Sequence, residues 1–499
     1  MRDRDIRKET CMNFSVNIDR IMRYITAVTG GNRTCNRPSY SAADAAARAY
    51  FLTIFESLGM PVRVDGAGNI RAALKGYEPG LAPVLVGSHI DTVKNGGRFD
   101  GLLGTVCALE CLRVFRESNL LPRRTVEAVI FAEEEGTNFG VTLLGSKLLT
   151  GQLSPDDLKG MRNDAGESAD AVIRRAGFDP GRFEGGLSAE SSESANTLIR
   201  QAGLSAEGYE NTDPMALWAE LSGEGEALDA MTLLAKLSAE IDEPLILPWN
   251  GEPPRQDGGG EILRPGDVHA MVEMHIEQGA FLDNYGVPVG IVERIAGMET
   301  YRVVFRGASG HAGTTLMKDR RDPMIGAAEV ILGLKNAAET AGTGAAVATV
   351  GKINASPGAG NVIAGEVEFL ADIRDADDAS ASRLSEALHS LVENSARRHG
   401  LTAELHCIAK SPSVTLDPGV VDLIDRSAFS LGIPRIRMNS GAVHDAVMMA
   451  GVTRAGMIFV PSVGGTSHCK EEETRAQDIE AGANVLLETV FRLSGEGPE

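Results

Sequence analysis

Along the chain, short apolar runs alternate with longer amphipathic stretches. Residues 83–86 are an apolar run that leads into Gly87 and Ser88, which reads as a buried strand ending in a loop. Residues 125–132 and 270–274 have the same character; the first runs into Glu133, Glu134 and Glu135, the second into His275. Helical spacing covers 18–28, 41–58 and 102–115. Ser41 suits an N-cap, with Asp44 three residues on, and Gly59 closes that helix. Short strands at 62–64 and 69–74 flank a turn at 65–68. From residue 299 the pattern reads strand 300–306, loop 307–315, helix 322–337, strands 345–353 and 366–372, helix 379–399 and strand 401–409. A helix at 420–429, a strand at 455–461 and a helix at 478–493 complete it.

Strands alternating with helices predict βαβ units, hence an α/β fold with a mostly parallel sheet. The block after residue 298 reads as an inserted α+β unit. The expected division is therefore 12–297 and 413–499 for a split core domain, and 298–412 for the insertion. Residues 151–265 differ in texture, being rich in Gly, Ser, Glu and Asp. Within them ESADAVIRRAGFDPGRFE (167–184) is echoed by ESANTLIRQAGLSAEGYE (193–210), identical at 8 of 18 positions. Two copies are too few for a solenoid, so this reads as a duplicated helix–turn unit. Helical spacing follows at 216–241 and a Gly/Pro-rich linker at 253–265.

Length, charge and cysteines narrow the class. At 499 residues two or more domains are expected. The net charge of −21 (48 − 69) disfavours nucleic acid and anionic membranes as partners. No apolar run approaches the ~20 residues of a membrane span, and the first residues lack the apolar core of a secretory signal. Cys11, Cys35, Cys107, Cys111, Cys407 and Cys469 are too few and scattered for a disulfide framework. A cytoplasmic setting is expected.

The candidate chemistry sits at strand ends, where ligands bind in such sheets. His89 and Asp91 are two apart, so on extended backbone they share a face; a carboxylate there can fix the imidazole tautomer while the other nitrogen takes a metal. Glycines crowd Asp100. Glu134 and Glu135 point to opposite faces, so one can bind metal while the other stays free to move a proton. With His275 and His468 these make an imidazole–carboxylate set suited to zinc or a similar ion.

The motifs GSHIDTVKNGGRFDG (87–101), AEEEG (132–136), HIEQG (275–279), GHAGTT (310–315), DIR (372–374), SGAVHDA (440–446) and GTSH (465–468) together resemble the binuclear zinc amidohydrolases. That group holds N-carbamoyl-L-amino-acid hydrolases, allantoate amidohydrolases and β-ureidopropionases, within the aminopeptidase-like metallohydrolases. The resemblance implies a metallohydrolase domain carrying a lid and dimerisation domain. It implies two divalent ions, zinc above all, with manganese, cobalt or nickel as other choices. His89 and His275 would bind one ion, Glu135 and His468 the other, and Asp100 would bridge. Glu134 would be general base and then acid, and Asp91 would orient His89. His311 would reach across a homodimer interface to the oxyanion. Arg374 and Asn361 would bind a substrate carboxylate, and Gln278 would line the pocket.

The chain departs from that pattern at Asn138, Leu316, Ala364 and Val443, none of them an implied ligand. The implied reaction is hydrolysis of a linear ureido or amide C–N bond in a small carboxylate-bearing molecule. Two alternatives stand beside it: a metallo-dipeptidase or aminoacylase-type deacylase, and a non-catalytic binding protein on the same fold.

Overall fold

The computed structural model describes residues 14–183, 262–341 and 346–495. The second copy of the repeat, the helix expected at 216–241 and most of the linker lie outside these. The described chain divides into two compact units. One comprises the residues up to Val292, Leu416–Arg437 and those from His444 on; the other is Glu293–Thr415 with Met438–Val443.

The first unit opens with helices α1 (Ile18–Thr29) and α2 (Ala42–Ser57), the latter capped by the Ser41 hydroxyl, which accepts from the Asp44 amide. Then come β1 (Val62–Val64), β2 (Ile70–Leu74), β3 (Val84–His89), α3 (Leu102–Glu117) and β4 (Val126–Phe131). Short helices α4 (Leu144–Leu149) and α5 (Ala169–Arg175) precede β5 (Ala270–Ile276), α6 (Phe281–Tyr285) and β6 (Val289–Ile295). α5, capped by Ser168, is the helix of the first repeat copy.

The second unit holds β7 (Gly297–Arg306), β8 (Gly310–His311), α7 (Pro323–Thr340), β9 (Val347–Ser356), β10 (Val362–Ile363), β11 (Glu366–Asp375), α8 (Asp378–His399), β12 (Thr402–Ser411) and β13 (Val414–Thr415). α9 (Pro418–Ser430), β14 (Arg435–Ser440), α10 (Asp445–Met449), β15 (Arg454–Val460) and α11 (Ala476–Gly495) finish the chain.

The sheet of the first unit runs β1-β2-β4-β3-β5-β15-β6. Its centre, β4-β3-β5-β15, is parallel, and the flanking pairs are antiparallel. β3, β4 and β5 are buried at every position, which is why they read as unbroken apolar runs rather than alternating ones. Each fully buried Val, Leu or Ile contributes about 1.5–3 kcal/mol of transfer free energy. Registers align the strands' carboxyl ends: His89 lies opposite Phe131 and His275 opposite Phe459. β3 runs past its apolar run, through Gly87 and Ser88, to His89 itself.

The second unit is an antiparallel sheet, β12-β7-β11-β9. β11 alternates half-buried and buried along its length, the signature of a sheet covered on one face. Its inward residues Val367, Phe369 and Ile373 pack with Phe305, Val330, Leu334 and Leu388.

Candidate metal centre

The candidate ligands arrive on neighbouring strand ends of the first unit. His89 ends β3, and its Nδ1 lies 3.1 Å from the Asp91 carbonyl oxygen. The Nδ1 of His275 lies 2.9 Å from the Ile276 carbonyl oxygen. A nitrogen facing a carbonyl carries the proton, so in both rings Nε2 is left as the lone-pair atom. Both Nε2 atoms face Asp100 Oδ1, at 3.8 and 3.1 Å. His468 approaches the other oxygen, with Nε2 3.0 Å from Asp100 Oδ2 and 3.8 Å from Glu135 Oε2. Two groups result, His89–Asp100–His275 and Asp100–Glu135–His468. In each, the ligand atoms lie within 4.8 Å of one another, and Asp100 belongs to both.

This donor set fits divalent cations. Lone pairs of imidazole facing a carboxylate repel unless a proton or cation lies between them. Glu135 Oε1 is buried without a hydrogen-bond partner, leaving this candidate ligand's carboxylate with an unsatisfied oxygen.

The loops are held by specific contacts. Gly101 has φ +63°, and a Cβ there would sit 2.3 Å from the His89 ring, so glycine is required on both counts. The Asp91 carboxylate accepts from the amides of Glu134 (3.2 Å) and Glu135 (3.1 Å). Its Oδ1 is 3.5 Å from His89 Nδ1, further than its own carbonyl. Asp91 thus positions the turn carrying the two glutamates as much as the imidazole. From that turn the side chains diverge: Glu134 Oε2 is 3.7 Å from His89 Nε2, and Glu135 turns to His468. Glu133 takes the strained φ of +53° that makes the turn; its carboxylate accepts from the Asn138 amide and side chain, both 2.8 Å. The Asn138 side chain also donates to the Ser39 carbonyl, so this departure folds back on the turn.

The electrostatics follow from burial and crowding. Burial pushes the Glu134 carboxyl well above the usual range, with Glu135 and Asp445 adding to the rise. Burial also raises Glu135, to about 7. Asp100 is held well below its ordinary value despite burial, by His275 and His468. His468 is pushed up to about 9 by its hydrogen bond to Asp100.

Gln278, at φ +62°, donates from Nε2 to Asp100 Oδ2 at 2.8 Å and lies 3.2 Å from His468 Nε2, so it touches candidate ligand atoms directly. Pattern reasoning passed over Arg37. It is buried, and its Nε donates 2.6 Å to the Ile90 carbonyl, bracing the loop between His89 and Asp91; nothing in its local sequence marks it.

The remaining predicted residues belong to the second unit. His311 pairs with Val362 across β8 and β10, and the Ala312 amide donates to the Asn361 carbonyl at 3.0 Å, so His311 and Asn361 adjoin. His311 Nδ1 accepts from the Gly313 amide at 3.0 Å. Arg374, on β11, donates from Nε to Asp372 Oδ1 at 2.8 Å and is about a third exposed. Ala364 is buried in the core of this unit, and Leu316 is exposed.

Similarity to known proteins covers almost the whole chain. An N-carbamoyl-L-amino acid amidohydrolase of Geobacillus stearothermophilus is 31% identical over 92% of this chain and 93% of that protein. An allantoate amidohydrolase of Bacillus subtilis (strain 168) is 29% identical, over 89% and 88%. The solved structure of a hydantoinase/carbamoylase family amidase from Burkholderia multivorans superposes with TM-score 0.74 at 27% identity, covering 97% of this chain and all of that one. The family model for peptidase family M20/M25/M40 matches residues 85–492, and the chain belongs to that family of hydrolases.

Proposed function

We propose that this chain hydrolyses a linear ureido or amide C–N bond in a small carboxylate-bearing substrate, of the N-carbamoyl-amino-acid, ureidopropionate or allantoate type. The observation that carries the reading is one buried carboxylate, Asp100, shared by imidazoles on both of its oxygens. The names of the relatives support the substrate class.

In this reading His89 and His275 hold one divalent ion, Glu135 and His468 a second, and Asp100 both, with zinc the best match to mixed nitrogen and oxygen donors. Such a pair of ions supplies Lewis acidity, polarising the carbonyl and lowering the pKa of water. Glu134 is not in either ligand group. It takes the proton from the attacking water and returns it to the leaving nitrogen, from a position 3.7 Å from His89 Nε2. Asp91 keeps the 134–135 turn and His89 in place. Gln278 orients Asp100 and borders the substrate. His311 donates to the oxyanion, from the second subunit of a homodimer, while Arg374 and Asn361 bind the substrate carboxylate; a guanidinium suits that bidentate task. For a carbamoyl substrate the products are the amine, carbon dioxide and ammonia. A cytoplasmic location accords with the unbridged cysteines among the described residues.

The test has two parts. A panel of N-carbamoyl amino acids, 3-ureidopropionate, allantoate, ureidoglycolate and dipeptides, each with added zinc, manganese, cobalt or nickel, should show turnover of ureido acids and not of dipeptides. Glu134→Gln should lower kcat by about 10²–10⁴-fold with metal content unchanged. Dipeptide turnover alone, or an active Glu134→Gln enzyme, would overturn the reading.

A further inference from the structure

Glu472 is one of three consecutive acids, Glu471–Glu472–Glu473, four residues after His468. A run of that kind ordinarily faces water, and the side chain of Glu471 does. Glu472 does not: it is 2% exposed. Its Oε1 accepts from the backbone amides of Phe99 (2.7 Å) and Asp100 (3.1 Å). Its Oε2 accepts from the Ser467 hydroxyl (3.1 Å) and the His468 amide (3.3 Å). Ser467 Oγ also lies 3.1 Å from Asp100 Oδ2. One carboxylate therefore ties the loop bearing Asp100 to the loop bearing His468, although the two are 368 residues apart (468 − 100). Room for it is made by Gly97, where a Cβ would fall 2.3 Å from the Glu472 carboxyl carbon and 2.4 Å from its Cβ.

We infer that Glu472 is the positioning residue for the Asp100–His468 half of the centre. With Gly97 as its seat, it sets the spacing between the shared carboxylate and the imidazole of the Glu135–His468 ion. The reasoning rests on the two-ion reading above. The half containing His89 and His275 owes its geometry to β3 and β5, whose strand register needs no such tie. The two loops that meet at Glu472 have no backbone pairing of that kind. Loss of this carboxylate should therefore loosen the Glu135–His468 ion most, since both of its loops are held by Glu472, and the other ion less, since it shares Asp100 but keeps two imidazoles set by strands. Supporting partners of ligands typically change metal affinity by ~10–100-fold.

The test is a titration of metal-stripped full-length protein with zinc alone, read by calorimetry as equivalents and affinities, beside the melting temperature of the stripped protein. Wild type should take two equivalents. Glu472→Ala and Gly97→Ala, chemically unrelated changes, should both weaken one equivalent by ~10–100-fold and the other, which shares only Asp100 with the disturbed loops, by clearly less. Glu472→Gln keeps an acceptor oxygen for one loop only and should fall between. A mere loss of stability would lower melting and affect both equivalents alike. Wild type binding fewer than two equivalents would remove the two-ion reading and this inference together. Two wild-type equivalents with two unchanged equivalents in Glu472→Ala would remove this inference alone, as would variants that all fail to fold or lose both ions equally.

Discussion

The two units present their candidate functional side chains in opposite ways. In the first, His89, Asp100 and His275 are nearly inaccessible, sit on or beside parallel strands, and are fixed by backbone carbonyls and amides. In the second, His311 is exposed on a two-residue strand, and Arg374 is about a third exposed and held by Asp372. A buried group whose neighbours are fixed loses little freedom when a ligand arrives, whereas an exposed one has to be ordered at that moment. In the proposed reading, the ligands on the sheet are placed in advance, whereas His311 and Arg374, like half-exposed His468 in the first unit, keep room to move.

This contrast can be broken experimentally. The largest effect should come from Gly101→Ala, whose methyl would overlap the His89 ring: metal content and turnover should both collapse, as elemental analysis and kinetics would show; a fully loaded variant would mean the loop gives way cheaply. Phe369→Ala, in the core of the second unit, should cost about 3–5 kcal/mol of that unit's stability. Zinc titration and thermal melting together should show the second unit loosened with the first unit's metal affinity kept. Asp91→Ala frees the Glu134 and Glu135 amides and should weaken metal binding by ~10–100-fold. Arg374→Lys should act on KM alone, by about tenfold, since a point charge replaces a planar fork while the metal site is untouched. A fall in kcat with unchanged KM would show that Arg374 acts in the transition state instead.

Much of this organisation is legible in the sequence because the parallel strands are buried on both faces. Residues 83–86, 125–132 and 270–274 announce themselves as apolar runs, and the groups that follow them are then read off as strand-end chemistry. What escapes is held by tertiary contact rather than by pattern. β6 and β14, VGIVERI and RIRMNS, mix charge with short apolar stretches and take their form from pairing. α4 follows Leu143 at φ +60°, a conformation no local rule assigns to leucine. Glu472 looks like surface charge, and only the glycine pair Gly96–Gly97, far upstream, hints that something must fit against that loop. Asp91 illustrates a half-legible case: two-residue spacing placed it by His89, but its grip on the Glu134 and Glu135 amides depends on β4 lying alongside β3.

Strand β15 is hydrogen-bonded between β5 and β6, yet it begins only at Arg454, after every other described strand. The middle of the sheet is therefore filled by a strand made after the other described strands, and His468 follows it. A polypeptide that has not yet been extended past residue 468 lacks one of the candidate ligands, so the proposed centre closes only after both sequence-distant parts of this unit have been made.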